Sequence, residues 1–204
     1  MWPKQLRIAI TLGGLIVVFC GASEAKNSEV HNVRLTHEVR SKLIDIADSL
    51  EQGSVKTFTN SAISDDNLIM FSFTYAMMHS RQKANGWFHL PSEQLKKISF
   101  QFFGKRFEDK SLESTVKYKN GYYDGNSFDP TSSPGGYKVV SLMQVSPHLF
   151  QACLNSYGVP DGPYPAPYVQ IRLLLRDVVV SNKHHFVVVS YSGEENQPTI
   201  HPYK

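Results

Sequence analysis

Apolar residues recur with helical spacing through the first half of the chain and with strand spacing through the second. Leu35, Val39, Leu43, Ile46 and Leu50 are three or four residues apart, one face of a helix over residues 36–51, and Gly53 follows as a stop. Ser64-Asp65-Asp66 opens a second helix, because these side chains accept from free amides and face the positive end of the helix dipole. From Leu68 to Met78 this helix is apolar nearly all round, which places it centrally in its domain. A third helix starts at Pro91-Ser92-Glu93. Leu95, Ile98, Phe102 and Phe103 form its buried face, and Gly104 fits the left-handed position that ends it.

From about Val116 the period shortens. Asn120-Gly121, within residues 118–124, is a strong hairpin signal. Residues 127–136 read as a Pro/Gly/Ser loop and residues 137–145 as a strand. Leu149–Tyr157 alternates within a β region and is taken as a strand; Ser146-Pro147 and Gly158 would equally cap a short helix. Residues 159–167 carry four prolines and form an extended connection. The last hairpin is the clearest. Val169, Ile171, Leu173 and Leu175 point one way, and a turn at Asn182-Lys183 would set Val179 opposite Phe186, Asp177 opposite Val188 and Leu175 opposite Ser190.

Helices precede strands, so the pattern predicts an α+β domain: about three N-terminal helices packed on one face of a C-terminal twisted antiparallel sheet of four to five strands. Exported domains of NTF2-like or cystatin-like shape are similar in layout, a likeness that carries no motif and no residue role.

The N-terminus adds a compartment. Lys4 and Arg7 precede an uncharged, mostly apolar run from Ile8 to Ala22, and Ser23-Glu24-Ala25 places small residues at a cleavage site. This is the order of a secretory signal peptide over residues 1–25, followed by a flexible segment over residues 26–35 and a single domain over residues 36–204. The run is short of the ~20 residues that span a membrane. An uncleaved anchor and lipidation at Cys20 are the alternatives, although Phe19 fits poorly before a lipidated cysteine. The protein is thus expected in the periplasm, envelope or extracellular space. Loss of Cys20 leaves Cys153 alone in an apolar run, expected to be a buried small hydrophobe.

Composition narrows the partners. Lys and Arg number 21 against 18 Asp and Glu, without a run of like charge, which argues against nucleic acid and against an anionic membrane surface. Membrane contact is expected only through the signal segment or a lipid on Cys20. No phosphate loop, dinucleotide fingerprint or nucleophile elbow occurs, so neither a cofactor nor a catalytic residue is assigned. His184-His185 are adjacent on a strand, point to opposite faces and do not form a metal site.

The candidates for ligand binding are Trp87, Tyr122, Tyr123 and Asp177. Trp87 stands with Phe88 and His89 in a loop or short strand, Tyr122-Tyr123 follow the Asn-Gly turn, and exposed aromatics there would form a ligand or carbohydrate platform. Alternation puts Asp177 on the apolar face. A bulge at Arg176-Asp177 would turn it outwards, since burying an unpaired carboxylate costs several kcal/mol. The leading expectation is a non-enzymatic exported module binding a protein, an envelope component or a small ligand. The rival is a hydrolase or isomerase whose dispersed acid–base site combines Asp177 with His79 or His89.

Overall fold

The computed structural model describes residues 31–33, 35–59, 62–80, 86–112, 116–126, 136–157, 167–180 and 183–195. The expected signal segment over residues 1–25 lies outside the described residues, as do the expected 127–136 loop and 159–167 connection apart from Gly136 and Pro167, which are in strands.

Three helices form where the periodicity places them. Helix α1 spans His37–Gln52, and the Thr36 hydroxyl accepts the Val39 N–H at its start. Helix α2 spans Asp65–Met78 and is capped by Ser64 through the Asn67 N–H. It buries Leu68, Ile69, Phe71, Ser72, Phe73, Thr74 and Ala76, so residues from every side of it are enclosed and it is the central helix. Helix α3 spans Ser92–Phe103 and ends at Gly104, whose φ of 65° is the left-handed conformation that glycine adopts at least cost.

The class is α+β, but the predicted layering is corrected. The helices interleave with strands, and there are two antiparallel sheets. The large sheet contains β1 (His31–Asn32), β2 (Phe58–Thr59), β6 (Gly136–Ser146), β7 (Leu149–Tyr157), β8 (Pro167–Val180) and β9 (Lys183–Glu195), in the order β1-β6-β7-β8-β9-β2. The small sheet contains β3 (Trp87–Pro91), β4 (Val116–Lys119) and β5 (Tyr122–Asn126), in the order β3-β5-β4. Strand β2 was missed because two residues give too little alternation to register as a period, whereas the loop or short strand expected at Trp87, Phe88 and His89 is strand β3. Residues 31–33, expected to be loose, pair with β6: His31 is opposite Gln144, and the Val33 N–H donates to Leu142 O at 3.0 Å.

Two of the four register shifts in the large sheet bear on its core. Between Val139 and Ser141 the pairing with β7 skips Val140, and between Ser190 and Val188 the pairing with β8 skips Val189. Each extra residue changes the phase of its strand, so Val139 and Leu142, and likewise Val188 and Tyr191, can all face the helices. The bulge in the last hairpin therefore lies in β9, not at Arg176-Asp177. The pairing also moves: Val180 meets Lys183, Asp177 meets Phe186 and Leu175 meets Val188, so Lys183 belongs to the strand and not to the turn.

The core lies between helices and large sheet. Leu43, Ile46 and Leu50 from α1 join Leu154, Ile171, Leu173 and Leu175 from the sheet, all essentially fully buried. An aromatic chain crosses it: Phe71 meets Phe103 at 4.8 Å, Phe103 meets Phe58 at 5.8 Å, and Phe58 meets Tyr191 at 6.0 Å between ring centroids. Cys153, expected to be buried, alternates with the buried Ala152 and Leu154, lies on the opposite face of β7 opposite Arg172, and is only half-buried.

Candidate binding face and groove

The small sheet buries one face and leaves the other open. Along β3, Phe88 and Leu90 turn inward while Trp87, His89 and Pro91 stay exposed. Along β5, Tyr123 and Gly125 turn inward; along β4, Val116 does. The Asn120-Gly121 turn, with φ of 51° and 85°, fixes the register: Lys119 faces Tyr122 and Lys117 faces Asp124. On the other side of β5, Pro91 faces Tyr122, His89 faces Asp124 and Trp87 faces Asn126. Directly opposed residues share a face. The open face thus carries the rows Pro91–Tyr122–Lys119 and His89–Asp124–Lys117, with Trp87–Asn126 beside them.

Trp87 is 59% exposed and Tyr122 is 40% exposed. His89 Nδ1 lies 2.6 Å from Asp124 Oδ1, and the Tyr122 ring stacks on the imidazole at 4.2 Å and 11°. A carboxylate oxygen accepts, so Nδ1 is the donor of this bond and Nε2 is left to face the groove's other groups. Stack and hydrogen bond hold His89 between two partners.

His89 also lines a half-open groove of about 380 Å³. Tyr75, His79 and Ser80 at the end of α2 and Gln94 and Ile98 from α3 are also in its lining. The Tyr75 and His79 rings are 4.3 Å apart at 43°. Groove and open face meet at His89 and form one continuous surface.

The buried side of the small sheet is anchored by polar bonds. The Tyr123 hydroxyl accepts the Lys110 N–H at 3.2 Å and donates to Asp109 Oδ1 at 3.2 Å. Asp109 also accepts from the Ser92 hydroxyl at 2.5 Å and from Lys96 at 2.6 Å. Burial would raise the Asp109 carboxyl, but the bonds from Lys96, Ser92 and Tyr123 together hold it below the usual range. Burial pushes the Tyr123 phenol well up, so it remains a neutral donor. The Ser92 N–H donates to Gly121 O at 2.8 Å and ties the hairpin turn to the start of α3.

A second polar cluster joins α1 to the large sheet. The Tyr137 hydroxyl lies 2.6 Å from Glu51 Oε2 and 3.2 Å from Asp48 Oδ1. Burial raises both carboxyls, against the lowering effect of the Tyr137 bond.

Of the four residues singled out in the sequence, Trp87 and Tyr122 share the open face. Tyr123 is fully buried on the opposite side of β5, because neighbours on a strand alternate. Asp177 is half-buried in β8, in phase with Leu173 and Leu175, and its N–H donates to His148 O at 2.9 Å. That end of the large sheet, with Phe150 against Phe186, holds neither His79 nor His89. The carboxylate that meets a histidine is Asp124, 35 residues beyond His89. Lys117, Lys119 and Asp124 were missed, although counting outward from Asn120-Gly121 places all three with Tyr122 on one face. Among the described residues no helix is long and apolar enough to cross a membrane, and no group of three or more His, Cys, Asp or Glu could hold a metal ion. Comparison with known proteins gives no matching family model, no matching curated protein and no matching solved structure.

Proposed function

We propose that this chain is an exported, non-enzymatic binding module whose ligand lies across the open face of the small sheet and reaches into the groove beside it. The observation that supports this most is the exposure of Trp87 and Tyr122 on one face of a sheet whose opposite face buries Phe88 and Tyr123. A large ring left in water forgoes burial worth about 1.5–3 kcal/mol, and clustered exposed rings are a common feature of recognition surfaces. Export follows from the N-terminal pattern of charge, apolar run and small residues. The mass of the N-terminus of protein from its native cell separates cleaved, lipidated and anchored forms. Binding is tested by co-sedimentation with insoluble envelope material. Wild-type protein should be retained and Trp87→Ala and Tyr122→Ala proteins released; equal behaviour of all three refutes the assignment.

The His89–Asp124 pair favours one second reading, an acid–base enzyme acting in the groove, whose lining also holds His79. A carboxylate-oriented imidazole is a competent general base. Turnover of ester or glycoside substrates that is abolished by His89→Gln, with folding intact, would establish this in place of the binding role.

A further inference from the structure

Resting on the binding role just proposed, we infer that the ligand is an acidic glycan: a polysaccharide strand bearing uronate carboxylates. The rings of Trp87 and Tyr122 are suited to the apolar C–H faces of sugar rings. Trp87 and the residue opposite Tyr122 are four positions apart on β3. At about 3.3 Å per residue and about 4.8 Å between strands, the two platforms are roughly 14 Å apart along the backbone. That separation suits a short oligosaccharide and exceeds a single ring. The polar groups between them, His89, Asp124 and Asn126, are hydrogen-bonding partners for hydroxyls.

Charge selects the acid. Lys96 and Lys110 are paired, with Asp109 and Asp66 respectively. Lys117 and Lys119 form no ion pair among the described residues, and both are exposed on the same face as the two rings. Asp124, the carboxylate on this face, is held by His89. The platform therefore presents two lysines against one carboxylate, an excess of positive charge at one edge of a stacking surface, which complements carboxylates spaced along a strand. Two lysines are too few for a nucleic-acid backbone, which needs a basic track following every phosphate.

The test is isothermal titration of the protein, as its cell processes it, with an oligogalacturonate, a neutral β-linked glucose oligosaccharide of equal length and a single-stranded oligonucleotide. The oligogalacturonate should bind, and added salt should weaken it. The Lys117→Ala/Lys119→Ala double variant should weaken it by about tenfold or more, as loss of charge-assisted bonds implies. Trp87→Ala should weaken it at least as much while the melting temperature holds. Equal or tighter binding of the neutral sugar, or tighter binding of the oligonucleotide, overturns the acidic-glycan assignment and leaves the binding role standing. If none of the three probes binds, but envelope material still retains wild type and not Trp87→Ala, the ligand class alone is overturned. If that retention also fails, the binding role falls with it.

Discussion

Tyr122 and Tyr123 are neighbours with opposite fates, and replacing each separates surface from scaffold. In Tyr123→Phe the ring still packs against Phe107 at 6.0 Å and Tyr118 at 5.0 Å, so only the hydroxyl is lost. Asp109 keeps its bonds from Ser92 and Lys96 and is not left bare. The Lys110 N–H loses its acceptor, but Lys110 is at the surface, where water replaces part of the bond. A hydrogen bond to a charged group contributes about 1.5–3 kcal/mol and a neutral one about 0.5–1.5. With partial recovery of both, the expected loss is about 1.5–2.5 kcal/mol. For a chain of this size that is a fall in melting temperature of about 3–10 °C, measured by calorimetry with urea unfolding as a check. Tyr122→Ala removes an exposed ring and should cost under about 1 kcal/mol, while abolishing ligand retention. A fall below about 1 °C for Tyr123→Phe, or a Tyr122→Ala protein that is destabilised more than Tyr123→Phe, would refute the assignment of the two faces of β5.

The Glu51 cluster predicts a pH effect of definite sign. Burial raises the folded-state Glu51 carboxyl, so its charged form is disfavoured in the fold, and stability is lost as pH rises from the ordinary carboxylate range near about 4.3 through the raised value. Asp48 acts in the same direction, whereas the lowered Asp109 contributes a constant amount above that range. Urea midpoints of Glu51→Gln should therefore fall less than those of wild type between pH 5 and about 7; an unchanged slope contradicts the burial. Phe71→Ala empties the contact with Phe102 at 5.3 Å and Phe103 at 4.8 Å and should cost about 3–5 kcal/mol, read from the urea midpoint at unchanged m-value. A loss below about 1 kcal/mol would mean that α2 is not the central helix.

Local chemistry determined much of this protein before any tertiary contact is considered. Thr36 and Ser64 cap helices through short-range bonds, Gly104 ends one, and Asn120-Gly121 sets a hairpin register, because each of these depends on residues within three or four positions. That register already aligns Tyr122, Asp124, Lys117 and Lys119. Tertiary structure decided what alternation alone leaves open. Which strand lies beside β5, and hence that Trp87 and His89 complete the open face, depends on a pairing across a whole helix and loop. The bulge at Val189 and the partner of Asp177 depend on the register of the β8–β9 pairing. A turn displaced by one residue shifts the pairing by two, so Asp177 moved from opposite Val188 to opposite Phe186 without changing face.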